Sequence, residues 1–293
     1  MATSPDTAPA GQDGPGRRRY GDWAAGPLLG QGSLGRVYLA HDGAGRAAAL
    51  RVVRASLVRD PAFRTRFARE VLAIGAVRGR RVAPLLDADP HGAAPWLAVE
   101  YVPGPTLAAR VREAGGPLGT TELRALASAL AGALDAIHRA GLAHGGLRPS
   151  NVILAADGPR AVDFGVTAGA GSPAPGYTAP ETPAQGVAKP PADIFSLGAV
   201  LAFAATGRGP FDAGGADPDL TDVPSGLIPL VTACLARHPT ARPAPRTVAR
   251  MAGLPLPGSR RRALTLAEAL FLTQLAAVAS PLGGRWPVRA GER

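Results

Sequence analysis

Leu29-Gly30-Gln31-Gly32-Ser33-Leu34-Gly35-Arg36-Val37 carries three glycines at G-x-G-x-x-G spacing, and its flanks decide what it can be. Glycine lets a backbone approach phosphate oxygens with no Cβ in the way. A dinucleotide-binding loop of this spacing opens a helix. This loop runs instead into Val37-Tyr38-Leu39, a β-forming run. Residues Leu28–Ala40 therefore read as strand, glycine turn, strand, which disfavours a parallel βαβ start.

The neighbouring periodicities extend this reading. Ala47–Val53 is a third apolar strand, and a helix follows over about Pro61–Val77, with Pro61 in its first turn and Asp60 as N-cap. Val82–Leu86 and Trp96–Val102 read as two more strands. Beyond them the texture turns helical. A helix capped by Thr120 or Thr121 runs to about Ala140, with Leu123, Leu126, Leu130, Leu134 and Ile137 at helical spacing. Ala192–Thr206, Leu227–Leu235 and Thr247–Met251 supply further helices. With 293 residues there is room for one domain of two lobes but not for tandem large domains. The expected fold class is α+β, with a small β-rich lobe carrying one main helix and a larger α-helical lobe.

Six further motifs follow the glycine loop in order. Ala48-Ala49-Leu50-Arg51 is a strand ending in a cation, and Glu70 lies nineteen residues on, in the helix. Glu100-Tyr101-Val102-Pro103-Gly104 follows an apolar strand. Next come His144-Gly145-Gly146-Leu147-Arg148-Pro149-Ser150-Asn151, then Asp163-Phe164-Gly165, Ala179-Pro180-Glu181, and Asp193 with Arg242. Each is weak alone, but the ordered series over about Tyr20–Met251 resembles the bacterial Hanks-type Ser/Thr protein kinases, especially actinobacterial ones. Small-molecule phosphotransferases carry H-G-D in the loop that begins at His144. The glycine loop, the Asp193 helix and the final Arg-Pro pattern favour the protein kinases.

The resemblance implies a two-lobed protein-kinase fold and ATP with Mg²⁺ as cofactors. Gly30, Gly32, Gly35 and Val37 would cover the nucleotide. Ala49, Val99, Glu100, Val102 and Leu154 would enclose the adenine, and Arg51 paired with Glu70 would hold phosphates. Asn151 and Asp163 would be the metal ligands. Asp193 would brace the loop at His144, and Arg242 would pair with Glu181.

Departures from the pattern concentrate where phosphoryl transfer happens. The loop aspartate that accepts the substrate hydroxyl's proton is Gly146, and no acidic residue lies between His144 and Asn151. Losing a general base typically costs about 10²–10⁴ in rate. Arg51 and Arg148 stand where the family has lysines, and Gly145 replaces an arginine that reads a phosphorylated segment. Asp212–Pro218 is too short for the helix that docks protein substrates. These losses point to a pseudokinase that binds nucleotide and regulates a protein partner. The alternative is a weakly active Ser/Thr kinase using a non-standard base.

Composition sharpens the remaining limits. Net charge is +10, with arginine clusters at 17–19 and 260–262, yet no aromatic-interleaved basic stripe supports nucleic-acid binding. Lys189 is the sole lysine among 32 Lys and Arg, a skew that offers a bland source for Lys-to-Arg changes. A single cysteine, Cys234, excludes a disulfide framework within the chain and fits a reducing compartment. Residues 1–19 read as a disordered basic leader without a signal-peptide apolar core. The kinase-like domain is expected over 20–254, its lobes meeting near 102/103. Residues 255–293 form a linker and an apolar segment. Within it, Ala263–Leu282 is either a helix packed on protein or a membrane anchor, although Glu268 and Gln274 interrupt it. The expected location is the cytoplasm, with membrane tethering as the alternative.

Overall fold

The computed structural model describes residues 18–113, 116–165, 175–182, 188–212, 214–215 and 217–253. The first lobe is one antiparallel sheet of β1 (Arg19–Tyr20), β2 (Trp23–Gln31), β3 (Gly35–His41), β4 (Ala47–Val53), β5 (Leu85–Asp89) and β6 (Trp96–Glu100), in the order β1-β2-β3-β4-β6-β5. Every pairing in it is antiparallel, so no parallel crossover occurs. Two helices lie between β4 and β5: the single turn α1 (Ala55–Val58) and α2 (Pro61–Ala76).

Helix α2 starts where its local chemistry says it should. The Asp60 carboxylate accepts the Ala62 N–H, and Pro61 occupies the first turn, where a missing N–H costs nothing. Its buried residues Phe63, Phe67, Val71 and Ile74 recur at helical spacing and face the sheet. Leu34, from the glycine loop, is fully buried in the same cluster.

The second lobe is helical: α3 (Leu107–Glu113), α4 (Thr120–Arg139), α5 (Pro190–Thr206), α6 (Ile228–Cys234) and α7 (Pro245–Met251), with a hairpin of β7 (Val152–Ala155) and β8 (Gly158–Ala161) on the side facing the sheet. Helix α4 is its spine, with Leu126, Leu130, Leu134 and Ile137 fully buried. Each such side chain contributes about 1.5–3 kcal/mol of burial. Helix α5 is buried along nearly its whole length and ends at Gly207, whose left-handed φ of 76° lets its N–H bond the Phe203 carbonyl. Burial pushes the Cys234 thiol up to about 12, so it is an inert core residue.

Several local expectations differ from the structure. The N-cap of α4 is Gly119, not Thr120 or Thr121, because the Glu122 side chain reaches back to accept the Gly119 N–H at 2.8 Å. Val82 makes only an isolated bridge to Ala161, and the fifth strand starts at Leu85. Strand β1 begins at Arg19, inside the expected leader. The rest of that leader and the segment 255–293 lie outside the described residues. Among the described residues no helix is long and apolar enough to cross a membrane.

Candidate functional site

A cleft of about 280 Å³ separates the lobes. Leu29, Gly30, Val37 and Ala49 line it from the sheet side, Ile153 and Val162 from the helical side, and Tyr101 and Val102 at the connecting segment. Ile74, Leu97, Val99 and Phe164 also line it, as do the polar residues Arg51, Ser150, Asn151 and Asp163. The arrangement suits a flat apolar group combined with a polar or charged group.

The connecting segment turns at Gly104, which has a φ of 143°; a Cβ there would lie 2.5 Å from the Leu154 carbonyl oxygen. Only glycine lets the two backbones approach this closely. At the mouth, the glycine loop closes as a hairpin in which Gly32 N–H bonds Gly35 O at 2.9 Å and Gly35 N–H bonds Gly32 O at 3.2 Å.

The loop His144–Asn151 is held from below by one carboxylate. Asp193 Oδ2 accepts the His144 N–H at 2.8 Å, and Oδ1 accepts the Gly145 N–H at 2.9 Å. His138 Nε2 meets Oδ2 at 2.7 Å. Gly145 takes a left-handed φ of 72°, which glycine adopts without cost. The His144 ring is buried with no hydrogen-bond partner on either nitrogen among the described residues and lies edge-on to Phe164, centroids 6.3 Å apart. Desolvation holds its pKa below the ordinary histidine value, so it serves as a neutral packing plate. Phe164 is buried beside it, while Asp163 faces the cleft. Asp163 is the one non-glycine residue with positive φ among the described residues, at 68°. Such backbone strain persists where surrounding structure imposes it, often at functional sites.

The ion pair expected between Arg51 and Glu70 is not formed. Arg51 Nη2 donates instead to Asp163 Oδ1. Glu70 sits half-buried on α2 with no ion-pair partner among the described residues, and desolvation raises its pKa to about 7 against the opposing charge of Arg66. The placement of β4 and the Asp163 turn decides the choice: it puts the Asp163 carboxylate within reach of the guanidinium fork.

Other expected contacts shift for local reasons. Leu154 is buried in the core, and Ile153, one residue earlier on β7, lines the cleft, because strand residues alternate faces. Glu100 does not line the cleft; its carboxylate takes Arg160 Nη1 at 2.7 Å. Gly32 is at the exposed hairpin tip. Gly35 packs on β4 so closely that a Cβ would lie 1.9 Å from Val52 O. Neither glycine lines the cleft. Arg148 is exposed. Gly146 contributes its carbonyl, which accepts Asn151 Nδ2 at 2.8 Å.

The residues fit a divalent cation poorly. Mg²⁺ takes octahedral oxygen ligands, and in phosphate sites one or two carboxylates hold it together with waters and substrate phosphates. Asp163 is the one acidic residue lining the cleft among the described residues, and its Oδ1 is already taken by a guanidinium. A cation placed there would face Arg51 directly.

Far from the cleft, Arg242 carries the expected pairing. Its guanidinium is fully buried, grips Glu181 through two hydrogen bonds, and also donates to the carbonyls of Ala236, Pro191 and Arg237. The residue pairs that sequence reasoning did not anticipate are Arg51 with Asp163 and Glu100 with Arg160. Their partners are more than fifty positions apart, beyond the reach of local patterns.

Comparison with known proteins agrees with this architecture. The chain is 42% identical over 250 residues to the serine/threonine-protein kinase AfsK of Streptomyces griseus, an alignment covering 77% of this chain and 31% of that protein. It is also 42% identical over 245 residues to the probable serine/threonine-protein kinase PkwA of Thermomonospora curvata, covering 77% of this chain and 33% of the relative. It thus spans about a third of the length of these curated relatives. The crystal structure of the Mycobacterium tuberculosis PknI kinase domain superimposes with a TM-score of 0.69 at 26% identity, covering 80% of this chain and 96% of that one. A sequence profile of the protein kinase domain matches residues 23–252, and the chain belongs to that family.

Proposed function

We propose that this domain is a pseudokinase: a nucleotide-binding protein kinase fold that transfers phosphoryl groups poorly or not at all and regulates a protein partner in the cytoplasm. The carrying observation is Gly146. It stands five residues before Asn151, whose side chain it holds through its carbonyl, and Asp163 is the one carboxylate lining the adjoining cleft among the described residues. With no side chain at 146, nothing there can orient an attacking hydroxyl or take its proton. Arg51 strengthens the reading, because its guanidinium holds Asp163, the carboxylate that phosphoryl transfer in this family uses to place a metal.

The apolar walls around Val37, Ala49, Val99 and Ile153 support a nucleotide base as ligand, and Leu29 and Gly30 at the start of the glycine loop line the same cleft. Kinases of this family use ATP with Mg²⁺; in this chain the apolar walls carry the ATP reading, and the metal reading is weaker because Arg51 occupies Asp163. The missing docking helix after Phe211 favours a binding role, since the chain from Asp212 to Asp222 holds no helix among its described residues.

The second reading, a weakly active Ser/Thr kinase, is favoured by the intact Asp193 brace and by the names of the relatives. Radiolabel transfer from ATP to the protein itself and to a basic protein substrate separates the two. The expected result is transfer at background. Robust transfer that Asp163→Ala abolishes would sink the pseudokinase reading.

A further inference from the structure

Resting on the nucleotide-cleft reading, we infer that the cleft binds a nucleoside triphosphate without a divalent cation, Arg51 supplying the positive charge that a metal would otherwise bring. The charge balance of the cleft is the starting point. Arg51 and Asp163 are the only ionisable side chains described as lining it apart from the Tyr101 phenol, and they neutralise each other. A triphosphate entering such a site needs positive charge at the Asp163 end. In the metal-dependent arrangement that charge comes from ions bridging the phosphates and the carboxylate.

Here a guanidinium holds the bridging position. Arg51 spends Nη2 on Asp163 Oδ1, and its remaining N–H groups make no hydrogen bond among the described residues. Guanidinium presents five N–H donors in one plane, so one edge can hold a carboxylate while another meets phosphate oxygens. Its side chain is mostly shielded from water, 11% exposed, and rises from β4 directly across from β6. Asp163 is held toward it by its left-handed backbone, with Phe164 buried behind. Asn151 is committed through Nδ2 to the Gly146 carbonyl. Its amide oxygen is left toward the cleft with Ser150 and Asp163, but a hard cation bound there would lie against the Arg51 guanidinium, which already holds the carboxylate.

Glu70 leaves Arg51 unclaimed on the α2 side. A lysine-like cation drawn to α2 would leave Asp163 bare for a metal. The absence of an Arg51–Glu70 pair keeps the positive charge on the phosphate side of the cleft.

The test uses the full chain and a fluorescent trinitrophenyl derivative of ATP, titrated in EDTA and in excess Mg²⁺, with thermal melts as a fold control. The expected result is binding in EDTA, with dissociation constants in the two media within about twofold. Asp163→Asn should keep or tighten binding in EDTA, because it removes the only carboxylate lining the cleft among the described residues and frees the whole of Arg51. Arg51→Lys should weaken binding in EDTA by about tenfold, with Mg²⁺ restoring part of it, because an ammonium point charge cannot bridge as the fork does. Native binding that needs Mg²⁺ by tenfold or more, or its loss in a folded Asp163→Asn protein, would overturn the inference while leaving the nucleotide reading intact. A folded native protein that binds in neither medium would overturn both.

Discussion

Arg242 grips the Glu181 carboxylate with both terminal nitrogens, Nη1 to Oε1 at 2.6 Å and Nη2 to Oε2 at 2.9 Å. The guanidinium also lies 5.1 Å from the Phe195 ring centroid. It ties the segment at Ala179–Glu181 to α5 and to the turn before Pro243, with no connection to the cleft. Breaking a buried pair leaves the surviving charge uncompensated, typically costing about 3–5 kcal/mol. Three carbonyls would still solvate Arg242, so Glu181→Ala should sit near the lower end. The expected loss is several degrees in melting temperature, read by circular dichroism. An unchanged melt would mean that this pair does not hold the helical lobe together.

The same pair sets an acid limit. Burial alone would raise the Glu181 pKa, but hydrogen bonds and charge from Arg242, with a backbone N–H, bring it below the ordinary value. A depressed folded pKa means that this stabilisation is full above the unfolded value of 4.5 and is lost as pH falls through the folded one. Glu181→Gln should therefore flatten the stability profile below about pH 4.5 while lowering the plateau above it.

Asp193 offers a second structural test. It accepts from the His144 and Gly145 amides and contacts His138. Asp193→Ala strands two donors near the core, each costing about 1–3 kcal/mol. Asp193→Asn keeps one carbonyl acceptor and should cost less. Equal melting temperatures for the native and Ala forms would show that the loop does not depend on this brace.

Much of this was legible in the chain because it is written locally. Asp60 and Pro61 announce α2, the leucine spacing announces α4, and β-forming runs on both sides of the glycines dictate a hairpin. Motifs in fixed order then place Asp193, Glu181 and Arg242 without any knowledge of packing. Short or parity-dependent features were harder. Strand β7 has four residues, and a shift of one residue exchanges Ile153 and Leu154 between cleft and core. Helix α3 has seven residues and little room to show a period. The partner of Arg51 depends on how α2, β4 and the Asp163 turn are placed relative to one another, and no local pattern carries that.

Glu70 gives a pH signature. Desolvation raises its folded pKa to about 7 from 4.5, the opposite direction to Glu181. The protonated form is favoured in the fold, so its contribution is full below pH 4.5 and is lost as pH rises through about 7. Glu70→Gln should leave stability near pH 5 almost unchanged. At pH 8 it should raise stability by on the order of 1 kcal/mol, after allowance for solvent screening at a half-exposed site. Chemical denaturation at the two pH values measures it. Destabilisation at pH 8 would mean that Glu70 has a cationic partner in solution, and Arg51 is the candidate.

The remaining prediction concerns restored catalysis. Gly146 is not among the residues with positive φ, whereas Gly145 beside it is at 72°. An aspartate can therefore stand at 146 without backbone strain, on the loop that Asp193 already holds. Gly146→Asp alone should recover little phosphoryl transfer, because Arg51 still occupies Asp163 and the phosphates lack their ordinary partner. Arg51→Lys alone should recover nothing measurable, because no group takes the hydroxyl proton. The double variant should exceed the sum of the two by about tenfold or more, since groups that act as one catalytic unit combine far from additively. The readout is radiolabel incorporation in Mg²⁺, with Asp163→Ala added to the double variant as the control. If Gly146→Asp by itself restored vigorous transfer, the missing base would be the whole defect, and Arg51 would be an adequate substitute for lysine despite its contact with Asp163.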